Sequence, residues 1–176
     1  MFQDWENFYL LIGSAAGALI GLLFVVVTLT SNIERERALN ASRLFMTPTV
    51  VMFATVLVVG AIATAPRLSR AAQEALIGAV AIAGLVYGSG IALELFKRRR
   101  ADPTMHWTDP VCYGVMPAAW FGALALTDAL ALAWPDLSAY AIGAVTVAML
   151  LTGIRNAWDL ITWIAPRGAP PPPAAS

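Results

Sequence analysis

The stretch that decides the fold is FYLLIGSAAGALIGLLFVVVTLT, residues 8–30, which contains no charged side chain. As an α-helix, this run would be about 34 Å long, enough to cross a hydrocarbon core of about 30 Å. A helix in lipid satisfies its own backbone hydrogen bonds, so glycine is tolerated there more readily than in water. The run therefore predicts a membrane-spanning helix.

Within this run, Gly13, Gly17 and Gly21 recur at every fourth residue, with Ser14 and Ala18 beside them. Helices in lipid associate through close packing, and small side chains let two backbones approach each other. Each four-residue step turns a helix by about 400°, so successive glycines drift by about 40° around it. This glycine zipper pattern predicts a groove for another helix, either of the same chain or of a second molecule.

The rest of the chain repeats the alternation of apolar blocks and short charged loops. Of its 176 residues, 59% are hydrophobic and 12% are charged, and the mean hydropathy is +0.71. This composition predicts an all-α, polytopic membrane protein whose five-helix transmembrane domain occupies residues 1–165. The predicted spans are Phe8–Thr30, Leu44–Ala65, Ala75–Phe96, Val111–Trp134 and Leu137–Ile164.

The C-terminal residues 166–176 form a proline-rich segment, which we expect to be a disordered cytoplasmic tail. The N-terminus lacks the basic residues that begin a signal peptide, so the first span is expected to be retained.

Basic residues are distributed unequally between the two sides of the predicted bundle. With the N-terminus outside, only Arg67 and Arg70 fall on the outer side. The residues that fall on the cytoplasmic side are Arg35, Arg37, Arg43, Lys97, Arg98, Arg99, Arg100 and Arg167. Because cytoplasmic loops are enriched in Lys and Arg, the chain is predicted to be N-out and C-in, as a multi-pass protein of a bacterial inner (plasma) membrane.

The basic cluster after the third span, Lys97, Arg98, Arg99 and Arg100, contributes most to this asymmetry. It is interpreted as a topology anchor, and the alternative is a dedicated site for anionic lipid headgroups.

Few ionisable residues fall inside the predicted spans, where each is costly. Asp128, with Thr127 beside it, lies about six residues before Trp134, or about 9 Å inside the boundary of the span. Asp128 is therefore either a carboxylate that faces the bundle interior and interacts with a cation or proton, or an interfacial carboxylate that reaches the headgroups.

Arg155 and Asp159 are four residues apart near the end of the fifth span, so they share one helix face. This pattern fits an amphipathic helix end, or a buried polar cluster that could include Glu94. The other partner expected for Glu94 is Lys97, three residues further along.

The sequence offers little for catalysis or metal binding. Cys112 is the one cysteine, and His106, the one histidine, lies near Asp102 and Asp109 in a proline-containing loop that we expect to be solvated. There is no nucleophile paired with a base, no phosphate-binding loop and no dinucleotide fingerprint. We therefore expect no enzymatic activity, no metal and no cofactor.

Small residues at Gly84 and Gly88 extend the packing pattern to the third span. The preferred interpretation is a small integral membrane protein that acts through helix-mediated assembly, as an oligomer or as an accessory subunit of a membrane complex. Membrane lipids and either a second copy or another membrane protein are the expected partners, and nucleic acid is not. The alternative is a homo-oligomeric ion channel or small transporter with Asp128 on its polar pathway.

Overall fold

The computed structural model describes residues 2–30, 45–102 and 105–164, and the described chain is helical without strands. After a single 3-10 turn, five long helices follow: α1 (Glu6–Thr30), α2 (Thr47–Thr64), α3 (Arg70–Ala101), α4 (Thr108–Leu130) and α5 (Pro135–Ile164). Each is long and apolar enough to cross a membrane. The all-α class and the five candidate spans are thus confirmed, as is typical of a multi-pass membrane protein.

Two predicted segments lie outside the described residues. One is the first basic loop with Arg35, Arg37 and Arg43, and the other is the proline-rich segment 166–176 with Arg167.

The basic cluster is helical, although we expected a loop there. Helix α3 begins after Ser69, whose side chain accepts a hydrogen bond from the Ala72 amide at 3.2 Å, and it continues to Ala101. Arg98, Arg99 and Arg100 occupy its last turn, where cations are favoured by the negative end of the helix dipole. The third helix is therefore longer at both ends than the apolar run from which it was predicted.

The turn between α4 and α5 also differs from its prediction. Helix α4 ends at Leu130 instead of Trp134, and Pro135 opens α5 instead of following α4. Proline suits the first turn of a helix because the amide hydrogen that it lacks would have no partner there.

Helices α1 and α2 form one antiparallel pair, in which their backbones approach most closely at two glycines. A β-carbon placed on Gly60 would lie 2.8 Å from the Tyr9 carbonyl oxygen and 3.3 Å from the α-carbon of Gly13. A larger residue at position 60 would therefore push the two backbones apart.

Helices α3 and α4 form the second antiparallel pair. A β-carbon on Gly84 would meet the ring of Phe121, and one on Gly88 would lie 3.1 Å from the α-carbon of Ala118. One turn beyond Gly88, a β-carbon on Gly114 of α4 would lie 2.7 Å from the α-carbon of Ala92.

Helix α5 joins the two pairs by packing against α2 on one side and α4 on the other. Near its start, the carbonyl of Ala139 accepts a hydrogen bond from the Tyr9 hydroxyl at 3.3 Å. Near its end, a β-carbon on Gly153 would meet the ring of Phe53. Fully buried side chains from all five helices form the core between them, including Tyr9, Met52, Phe53, Ile77, Phe121, Leu124, Ile142 and Met149.

Helix α4 contains a π-helical segment, Val111–Val115, between its first turn and its regular part. The Met116 amide donates to the carbonyl of Val111, five residues back. In the same register the carbonyl of Cys112 would need the amide of residue 117, which is a proline without an amide hydrogen. The Cys112 carbonyl is therefore left for a partner outside its own helix.

Candidate functional site

Asp128 lies in the last turns of α4 and faces α3. A β-carbon on Gly78 would lie 2.7 Å from its Oδ2, so the carboxylate occupies space that only a glycine leaves open. Its Oδ1 is buried and has no hydrogen-bond partner among the described residues. A buried carboxylate oxygen without a donor is costly, so this atom is a position where a proton or cation could bind.

A second carboxylate and an arginine lie on α3 beside this position. Arg70 donates from Nε to Oε1 of Glu74 at 2.7 Å and from Nη2 to the Ala131 carbonyl at the end of α4. Glu74 lies within electrostatic range of Asp128. Arg70 thus neutralises Glu74 and ties α3 to α4, while Asp128 keeps an oxygen without a donor.

Thr127 does not join this arrangement. Its hydroxyl donates to the Leu124 carbonyl of its own helix at 3.0 Å. This is the usual way in which a threonine in an apolar helix satisfies its hydroxyl group.

A second polar group lies at the opposite end of α4, where it meets the last turns of α5. We call it the α4–α5 polar cluster, and it comprises Tyr113, Arg155, Asn156 and Asp159. The Tyr113 hydroxyl donates to Oδ2 of Asp159 at 2.9 Å and also contacts the Asn156 carbonyl at 3.1 Å. Two of the residues singled out in the sequence, Arg155 and Asp159, are therefore part of one connected polar network.

The π-helical segment explains why an asparagine lies in this cluster. Asn156 is fully buried, and its Nδ2 donates to the Cys112 carbonyl at 3.0 Å. Its Oδ1 accepts from Arg155 at 3.0 Å. The amide thus satisfies the carbonyl that the π register and Pro117 leave without a helical donor.

Arg155 and Asp159 use different partners, Asn156 and Tyr113, although they share a helix face. Asp109, in the first turn of α4, lies within electrostatic range of both. The Thr162 hydroxyl donates to the carbonyls of Trp158 and Asp159 in its own helix. The cluster therefore links α4 to α5 through Tyr113 and Asn156, while Arg155 and Asp159 are themselves exposed.

Glu94 belongs to neither polar group. Its Oε1 accepts from Arg98 Nε at 3.0 Å on the exposed surface of α3. Glu94 therefore pairs with Arg98 and not with Lys97, the partner expected from the sequence. Residues three and four positions further along a helix are both neighbours of Glu94 on its surface.

The α1 glycines fall into two groups. β-carbons on Gly13 and Gly17 would contact α2, at 3.7 Å from the Gly60 α-carbon and 3.1 Å from Leu57 Cδ1. Among the described residues, no atom of another helix lies within 4 Å of a β-carbon on Gly21. The drift of about 40° per four-residue step accounts for this division, because two steps rotate Gly21 away from α2.

Sequence reasoning missed the polar contact at the middle of α4. Trp120 Nε1 donates to Thr152 Oγ1 of α5 at 3.0 Å, while its neighbour Phe121 is buried against Gly84. Tyr113, Asn156 and Gly78 were also not singled out as site residues. An asparagine inside an apolar helix was the available signal for Asn156, whereas nothing in the sequence indicated the contact of Gly78 with Asp128.

His106 lies just before the first turn of α4. His106 Nδ1 lies 2.7 Å from Thr108 Oγ1 and accepts weakly from the Thr108 amide at 3.4 Å. Across the described ranges, no three His, Cys, Asp or Glu side chains are grouped as a metal site requires.

Comparisons with protein-family models, curated proteins and solved structures find no match to this chain.

Proposed function

We propose that this chain is an integral protein of a bacterial inner membrane that acts by assembly, and that the outward face of α1 binds the same helix of a second copy. We define this outward face by Ser14, Ala18 and Gly21. The proposal includes the N-out, C-in orientation and requires no catalytic step.

The observation that carries the proposal is the hydroxyl of Ser14. All three residues of the outward face are exposed, and the Ser14 hydroxyl makes no hydrogen bond within the described part of the chain. Thr28 of the same helix, by contrast, donates to the Phe24 carbonyl four residues back at 2.8 Å. A polar group facing lipid without a partner is unfavourable, and a neighbouring helix would supply one.

Ser14 and Ala18 form a small-xxx-small pair of the kind that mediates helix self-association in membranes. Gly21 extends this surface by one turn, and a β-carbon there meets no atom of another described helix within 4 Å. Two copies of α1 that cross at these residues would form an isologous contact, in which each hydroxyl of Ser14 can bond to the facing backbone. Gly13 and Gly17 remain occupied by α2, so self-association and the fold use different faces of one helix.

The test compares Gly21→Leu with Gly90→Leu. Both glycines are exposed, and no atom of another described helix lies within 4 Å of a β-carbon on either, but Gly90 is on α3. Light scattering after size-exclusion chromatography in mild detergent should show an oligomer for the wild type and for Gly90→Leu, and a monomer for Gly21→Leu. The thermal unfolding midpoint of Gly90→Leu should not fall below that of the wild type, because the new side chain does not meet the fold and leucine favours a helix more than glycine does. For Gly21→Leu, any fall in the midpoint should come from loss of the oligomer and therefore depend on protein concentration.

A wild-type monomer in both native membranes and detergent would contradict self-association. If α1 of a purified native sample instead cross-links to another protein through a cysteine at position 14, the chain is an accessory subunit and not a homo-oligomer.

A second function, an ion channel or small transporter, is favoured by one observation at Asp128. Its buried Oδ1 has no donor among the described residues, as expected for a carboxylate that binds a proton or cation during transport. In proteoliposomes, Asp128→Asn should abolish a wild-type proton, sodium or potassium flux, whereas Asp136→Asn at the exposed start of α5 should not. The absence of flux in the wild type would remove this candidate.

A further inference from the structure

A cavity of about 700 Å³ opens at the end of the bundle where α1 and α3 begin and α2 ends. We call this end the N-terminal face. Its walls include charged side chains of both signs and apolar side chains. We propose that the cavity binds the headgroup of a zwitterionic phospholipid that carries a primary ammonium, of the phosphatidylethanolamine class. This inference rests on the proposed insertion in a membrane, but not on self-association.

The positive wall consists of Arg67 and Arg70. Arg67 is exposed and makes no ion pair or hydrogen bond within the described residues. It lies at the turn between α2 and α3 with a φ of 59°, a conformation that an arginine seldom adopts. Arg70 donates hydrogen bonds from Nε to Glu74 and from Nη2 to the Ala131 carbonyl, yet its side chain remains 44% exposed. A phosphodiester could therefore bind to Arg67 with support from Arg70, since guanidinium groups match phosphate oxygens geometrically.

The negative wall is Glu6, in the first turn of α1. Glu6 is exposed and, like Arg67, forms no ion pair in the described part of the chain. Two opposite charges that line one cavity without pairing can be bridged by a ligand that carries both complementary charges. A primary ammonium can donate up to three hydrogen bonds, to Glu6 and to the amide oxygen of the neighbouring Asn7, which also lines the cavity.

The apolar lining favours a lipid over a soluble zwitterion. Leu10 lines the cavity one turn below Glu6 and is 61% exposed, so its side chain continues from the cavity onto the lipid-facing side of α1. Helix ends of a membrane protein lie at the depth of the headgroups, where the glycerol and the first acyl carbons would contact Leu10. A simple anion would place its charge near Glu6, and a simple cation would place its charge near Arg67, so neither fits both walls.

The proposal can be tested by native mass spectrometry of the full chain released from nanodiscs. Chain-matched phosphatidylethanolamine, phosphatidylglycerol and phosphatidylcholine are supplied in equal amounts, and bound lipids are counted. Phosphatidylethanolamine should be retained about tenfold more than the other two, because charge-assisted hydrogen bonds to its ammonium are lost with either competitor. Glu6→Gln should remove this preference, and Arg67→Gln should weaken retention of all three lipids.

Asp136→Asn is the matched control for Glu6→Gln, because Asp136 is an exposed carboxylate in the first turn of α5 that does not line the cavity, and it should retain the wild-type preference. Equal retention of the three lipids by the wild type, or an unchanged preference in Glu6→Gln, would overturn the proposal. So would glycerophosphoethanolamine if it displaced the intact lipid at equal concentration, because the site would then recognise a soluble zwitterion. The same spectra report the oligomeric state, so a failure of lipid selectivity is distinguishable from a failure of self-association.

Discussion

The Tyr113 hydroxyl lies 2.9 Å from Oδ2 of Asp159, and this contact connects the start of α4 to the last turns of α5. The two residues are 46 positions apart in the sequence. The α4–α5 polar cluster therefore holds the two helices at one end, while the short turn before Pro135 joins them at the other.

Tyr113→Phe should lower the free energy of unfolding by about 1 kcal/mol, because Asp159 loses a donor in a partly buried position. Tyr140→Phe is the matched control, since Tyr140 is 65% exposed on α5. Thermal unfolding in mild detergent measures both changes. Equal midpoints for the two variants would mean that the hydroxyl of Tyr113 contributes nothing to stability.

Gly84→Ala should destabilise the α3–α4 pair by about 1–3 kcal/mol, the usual cost of overpacking. The added β-carbon would meet the ring of Phe121, which is itself 1% exposed and has little room to move. Gly90→Ala on the same helix meets no atom within 4 Å and should keep or slightly raise stability, as alanine favours helices. A denaturing-detergent titration that ranks the two variants in the reverse order would contradict this packing.

The number of helices and their approximate positions could be predicted from the sequence, because bilayer thickness fixes how long an apolar run must be. The predicted third span, Ala75–Phe96, for example, lies wholly within α3 of the structure. The faces of the helices could not be predicted in the same way. Exposed Leu11 and buried Leu124 are equally apolar, so hydropathy does not distinguish a surface from a core here.

The candidate sites were predictable only in part. Asp128, Arg155 and Asp159 are conspicuous as charges in apolar helices, but their partners depend on how the helices pack. The carboxylate of Asp128 occupies space beside Gly78, which is on α3 and distant in sequence. No local sequence pattern predicts this contact. The hydrogen bond from the Asn156 side chain to the Cys112 carbonyl likewise depends on the π-helical segment of α4, and no sequence pattern indicated that segment.

Trp120 and Thr152 should be energetically coupled. Their hydrogen bond of 3.0 Å crosses between α4 and α5, and such bonds contribute on average about 0.6 kcal/mol in membrane proteins. A double-mutant cycle with Trp120→Phe and Thr152→Val measures the coupling free energy directly. Strict additivity of the two unfolding effects would show that the contact is energetically neutral.

The orientation of the chain should be N-out and C-in. Basic residues favour the cytoplasmic side, and Lys97–Arg100 forms the largest such group at the C-terminal end of α3. Reporter fusions at the two termini, active on opposite sides of a membrane, test this arrangement. Glutamine at all four positions should increase the inverted fraction, and a cytoplasmic N-terminus in the wild type would refute the orientation.

Gly60→Ala should destabilise the α1–α2 pair more than alanine at any of the three glycines of α1. The new β-carbon would lie 2.8 Å from the Tyr9 carbonyl oxygen and 3.3 Å from the Gly13 α-carbon. Both neighbours are backbone atoms, which cannot rotate away as a side chain can, so the two helices must separate. We expect a loss of about 1–3 kcal/mol.

Gly17→Ala is the informative comparison for this prediction. Its β-carbon would lie 3.1 Å from Leu57 Cδ1, the far end of a flexible side chain that can change rotamer. Unfolding midpoints should therefore fall clearly for Gly60→Ala and little for Gly17→Ala, while the oligomeric state stays the same in both. If Gly60→Ala instead leaves the midpoint unchanged, α1 and α2 do not approach each other as closely as the Gly13–Gly60 contact requires. In that case Gly13 and Gly17 would be available to a second molecule, and the division of α1 into a fold face and an assembly face would be wrong.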